Sequence, residues 1–179
     1  MMDMKKVIML IIIIITILGC SLNKKTPYKT VSNYFISYQK LDKKALKKIN
    51  RLVNVETTLT YAQKEKYKGI LKNHYKKLKY KIKKVKIANN NAVVLSEIEV
   101  NNNISALEKS IKIRDYFIDN KGNIAIEKFN DYKIDLLKKE KSKIKYKILF
   151  NLHIENNNWV IEKLSLINQK KLLGLYKNT

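Results

Sequence analysis

The chain has few residues able to carry chemistry. Its 179 residues include one cysteine, Cys20, and two histidines, His74 and His153. A closed zinc site takes about four thiolate or imidazole ligands, and a disulfide framework needs paired cysteines. No disulfide framework or closed zinc site is therefore expected, and no metal or cofactor is assigned. Carboxylates occur as Glu97/Glu99, Asp115/Asp119 and Glu155/Glu162. Acid–base catalysis needs such a pair in opposed environments within a pocket. With Lys+Arg 38 against Asp+Glu 15, their expected role is instead to pair with surplus lysine. The four glycines are not clustered into a phosphate loop, and no nucleophile elbow appears, so no catalytic residue is assigned.

His74 falls on the apolar stripe of a helix, between Ile70 and Leu78, and is expected to point inward as a hydrogen-bonded core histidine or as the polar group of a pocket. His153 has the opposite parity to Phe150, Leu152 and Ile154, so it should face away from that layer. Tyr34, Tyr38, Tyr67, Tyr75, Tyr146, Phe150 and Trp159 fall on inward faces. A few of them could line a pocket, where tyrosine offers an apolar body and a polar tip. His74, Tyr75 and Trp159 are the candidate ligand-binding residues. The alternative is a small enzyme with its active site around His74.

Cys20 has a different context. Two lysines, Lys5 and Lys6, precede the apolar run Val7 to Gly19, the order of a secretory signal. About thirteen helical residues span only ~20 Å, short of the ~30 Å hydrocarbon slab. The residues Thr16-Ile17-Leu18-Gly19-Cys20 resemble the lipobox of bacterial lipoproteins. That resemblance implies cleavage after Gly19, a diacylglycerol thioether on Cys20 and an extracytoplasmic, lipid-anchored protein, with a second acyl chain making the anchor stable. Ser21 follows, so the aspartate that the family associates with inner-membrane retention is absent. The expected organisation is a signal peptide at 1–19, a lipidated tether at 20–26 and a single domain at 27–179.

The elements of that domain follow from periodicity. Thr26 and Pro27 start a helix carrying Val31, Tyr34, Phe35 and Tyr38. Asp42 can cap a second with Ala45, Ile49 and Val53 on one face. Thr60 and Gln63 form a capping-box pattern for a third, with Tyr67, Ile70, Leu71, His74, Tyr75 and Leu78 on its stripe. Tyr80/Ile82 and Val85/Ile87 alternate on shifted parities, predicting a bulge near Lys83-Lys84. Asn89-Asn90-Asn91 turns the chain into a return strand from Ala92 to Val100. Ile144 to Ile154 alternates strictly, as only a half-buried strand does; Asn156-Asn157-Asn158 leads into a return from Trp159 to Leu166, and a last helix is expected from Gln169 to Tyr176. Residues 104–141 admit two readings: a helix ending near Gly122 followed by another through Phe129 and Leu137, or a hairpin about Asn120-Lys121-Gly122-Asn123. Helices are preferred.

The fold class is therefore α+β, with N-terminal helices packed on a curved antiparallel sheet. Tyr34-Phe35 in the first helix, a lysine-rich third helix running into Val85-Lys86-Ile87, and Asn158-Trp159-Val160-Ile161-Glu162-Lys163 together resemble small bacterial lipoproteins of unknown function whose domain is similar to nuclear transport factor 2. That resemblance implies a cone-shaped domain. Members of the superfamily include both enzymes and non-catalytic binding modules, so the fold does not choose between them.

The formal charge is +23; loss of Lys5, Lys6 and Asp3 with residues 1–19 would lower the basic count by two and the acidic count by one, leaving about +22 by the same convention. Aromatics interleave with lysines from His74 to Lys84, but Arg51 and Arg114 are the only arginines, and arginine is the residue suited to bidentate phosphate and base contacts. No specific nucleic acid partner is expected. A lipid-tethered basic surface should rest against anionic lipids or wall polymers. The sequence thus predicts a non-catalytic binding or envelope-interaction module.

Overall fold

A computed structural model describes residues 26–177, so Cys20 and the 1–19 segment lie outside the described residues. The described chain is α+β, with six α-helices and a four-stranded antiparallel sheet in the order β1-β2-β3-β4. Helices α1 (Pro27–Gln39), α2 (Lys43–Asn54) and α3 (Tyr61–Lys76) come first. Strands β1 (Lys79–Ala88) and β2 (Asn91–Asn101) form a hairpin; α4 (Asn103–Lys112), a 3-10 turn (Arg114–Phe117) and α5 (Ile126–Lys139) are inserted; β3 (Lys143–Glu155), β4 (Asn158–Ile161) and α6 (Leu166–Leu172) complete the unit.

The three N-terminal caps form as their residue types dictate, each satisfying a backbone N–H that the first helical turn cannot. The Thr26 hydroxyl accepts from Lys29 N, the Asp42 carboxylate from Ala45 N, and Thr60 and Gln63 bond reciprocally as a capping box. In the sheet, even-numbered residues of β2 and β3 turn toward the helices: Val94, Ile98, Ile148 and Phe150 are buried against Val31, Phe35, Leu71 and Tyr75. Phe35 stacks on Tyr80 at 4.5 Å and meets Phe150 edge-on at 5.4 Å. The β1–β2 register slips between Ile82 and Lys84. The bulge keeps Val85 on the core side despite its odd number.

Among the described residues no helix layer covers the opposite face of the sheet. It presents Lys79 and Lys81 opposite Glu99 and Glu97, then Lys84 and Lys86 beyond the bulge, with Lys145 and Lys147 on the other flank of the two glutamates. Glu99 pairs with Lys79 and Lys145, and Glu97 with Lys83. Leu149 remains exposed among them.

Three expectations need correction. The first inserted helix ends at Lys112, not near Gly122, and a 3-10 turn follows. Asp119 bends the next segment by accepting from the backbone N–H groups of Lys121 and Asn123, so Asp115 and Asp119 never share a helix. The hairpin reading survives only as one bridge, Ile118 to Ile124. Strand β4 stops at Ile161, short of Leu166. The last helix begins at Leu166 under a Ser165 cap and ends at Leu172, before Tyr176; Gly174 follows at φ +66, a conformation glycine adopts without strain.

The short β4 leaves part of the β3 edge unpaired by strand. Its carbonyls are met otherwise: Asn151 O accepts from Glu162 N, Leu149 O from the Asn168 amide and Lys147 O from Lys171 Nζ. Helix α6 thereby blunts an edge that would otherwise template pairing with another chain.

Candidate functional site

The residues with pocket potential separate into two regions. In the first, α3, α4 and α6 enclose His74, which is 1% exposed. Its Nε2 lies 2.9 Å from Leu172 O. A carbonyl can only accept, so Nε2 carries the proton and donates. Nδ1 is then the acceptor for the Asn103 amide at 3.3 Å, and that amide also donates to Leu173 O at 2.7 Å. Burial holds the imidazole pKa down at about 4, and Lys143 adds to the depression. His74 is therefore neutral and sealed. Tyr75 is equally buried, 4.7 Å from the Tyr38 ring, and burial pushes its phenol well above the ordinary value.

The second region is open. A groove of about 720 Å³ runs between α1, the start of α2 and the β4–α6 segment, within the range of about 300–1,000 Å³ usual for small-molecule sites. Tyr34, Tyr38 and Trp159 supply its aromatic walls. The Tyr34 hydroxyl donates to that of Tyr38 at 3.3 Å, and Lys48 Nζ stands 5.4 Å from the Tyr38 ring centroid. Thr30, Asn33 and Ser37 line the groove from α1, with Gln169 from α6. Thr30 Oγ1 is buried without a hydrogen-bond partner among the described residues, an uncompensated desolvation that natural interiors rarely tolerate. Charges are nearly balanced: Lys44, Lys48 and Lys163 against Asp42 and Glu162.

The structure thus divides the candidate residues. His74 and Tyr75 stand side by side with ring centroids 5.6 Å apart, while Trp159 lines the groove, to which neither contributes. The groove's polar side chains were not singled out by sequence. Their signal was the spacing 30, 33, 37, which sets three short polar side chains on one helical stripe beside Tyr34. His153 faces away from the core, as its parity predicts, with Nδ1 3.8 Å from Glu162 Oε1.

A smaller cavity of about 430 Å³ lies between α3 and α5 over Ile70, Ile134 and Leu137, with no aromatic wall. Among the described residues no group of three or more His, Cys, Asp or Glu side chains is placed to hold a metal, and no helix is long and apolar enough to cross a membrane. Comparison of the chain with known protein families, curated proteins and solved structures finds no match.

Proposed function

We propose that this chain is a lipid-anchored extracytoplasmic lipoprotein whose domain, a cone of helices on an antiparallel sheet in the manner of nuclear transport factor 2, acts as a non-catalytic binding or envelope-interaction module. The observation that carries the anchor is the placement of the sole cysteine, Cys20, directly after the apolar run that ends at Gly19. The observation that favours binding over catalysis is the separation of the two regions. The histidine best suited to acid–base work is held by one backbone carbonyl and one side-chain amide and is 1% exposed, while the open groove has aromatic and short polar walls.

The lysines of the uncovered sheet face give the module an orientation. Held by a short tether, that face would rest against anionic lipids or wall polymers, each lysine near the surface contributing about 1 kcal/mol. Metabolic labelling with palmitate tests the anchor: wild type takes up label and Cys20→Ser does not. Equal labelling of both, or of neither, overturns it. Sedimentation of the Cys20→Ser chain with vesicles tests the orientation, which predicts more protein on anionic than on neutral lipid and is wrong if the two are equal.

A further inference from the structure

We infer that the groove between α1 and β4 binds a pyranose sugar, the size of one or two rings. A pyranose has an apolar C–H face and a rim of hydroxyls, and needs a site that offers both. Tyr34 and Trp159, both part-exposed along the groove, offer flat apolar walls with polar tips. Asn33 and Ser37 stand one turn apart on α1 and line the same groove: the Asn33 amide is exposed, and the Ser37 hydroxyl, which donates to Tyr34 O at 2.9 Å, can still accept from a ligand hydroxyl on the side where the ring's rim would lie.

Charge and size select among amphipathic ligands. Three lysines against two carboxylates disfavour a polyanion such as a nucleotide triphosphate, and suit a neutral ring or one with a single carboxylate. A volume of about 720 Å³ accommodates a disaccharide and is small for a lipid with two acyl chains. A purely apolar ligand would cover the Asn33 amide without pairing it, at a cost in affinity.

The inference rests on the binding-module reading but does not require the acyl chain on Cys20, so palmitate labelling and sugar binding can fail separately. Trp159 is the only tryptophan, and its fluorescence reports on this groove alone. The full chain carrying Cys20→Ser, in a detergent without a sugar headgroup, is titrated with N,N′-diacetylchitobiose, with N-acetylmuramic acid and with sorbitol. Saturation-transfer NMR on the same samples registers binding that leaves the indole unchanged. Saturable binding of either sugar but not of sorbitol, weakened about tenfold when Asn33→Ala and Ser37→Ala together remove two hydrogen bonds, is the expected result. Trp159→Leu, read by NMR, should weaken it as well. Absence of binding by both methods, an equal response to sorbitol, or affinity unchanged in both variants overturns the assignment.

Discussion

The His74 enclosure and the Trp159 groove are built from similar materials, aromatic rings beside short polar side chains, yet the structure treats them in opposite ways. Around His74, hydrogen bonds run from ring to carbonyl and from amide to ring, and no side of the imidazole is left to solvent. Along the groove, Tyr34 and Trp159 stay part-exposed beside unfilled volume, and below it the buried Thr30 hydroxyl has no partner among the described residues. The difference teaches that residue type alone does not locate a binding surface. A histidine satisfied by a carbonyl and a neighbouring amide is architecture, whereas part-exposed aromatic rings along an open groove are surface that another molecule can reach.

Perturbing the two regions should give opposite responses. The largest effect is expected for His74→Leu, which leaves Leu172 O and the Asn103 amide each short of a partner and should cost about 3 to 4 kcal/mol in urea unfolding. A loss below about 1 kcal/mol would show that the enclosure is not a fixed network. Next comes pH. The folded pKa of His74 lies below its ordinary value, at about 4, so its contribution is complete above about pH 6.5 and falls away as the pH drops toward 4, by up to about 3 kcal/mol in all. Urea midpoints measured between pH 4 and 7 should show that slope in wild type and lose it in His74→Leu.

Gly174→Ala should cost about 2 to 3 kcal/mol, because at φ +66 an added methyl collides with the Asn101 carbonyl; thermal melting reads it out. The smallest effect is expected on the groove side. Thr30→Val removes a hydroxyl already without a partner, so stability should hold or rise by about 0.5 to 1 kcal/mol. A loss above 1 kcal/mol would mean that the hydroxyl is satisfied in solution and would blur the contrast between the regions.

What could be read in advance was whatever a few neighbouring residues decide. Asp42, Thr60 and Gln63 cap because their side chains reach an N–H three residues away. The bulge after Ile82 was visible because the parity of the apolar residues changes there. The middle segment resisted because isoleucines at 111, 113, 118 and 124 suit strand and helix alike, and the outcome depends on Asp119 bending the chain and on α5 packing against α3 and α4. The apolar spacing of Leu172, Leu173 and Leu175 points to a later start for α6 than the structure shows, because the start is set by the Ser165 cap and not by an apolar residue. Trp159 and His74 could not be assigned to separate places from sequence, since only tertiary packing puts α1 over β4 and α6 over α3.

Helix α6 and the residues just after it perform two closures at once: the Asn168 and Lys171 side chains satisfy β3 carbonyls, and the Leu172 and Leu173 carbonyls hold His74 and Asn103. A polypeptide interrupted before Leu166 would keep every strand yet lack the clasp for both, leaving a sticky sheet margin and a hungry imidazole. A chain that lacks α6 therefore exposes its own defect, and such copies should be the ones that proteases clear first.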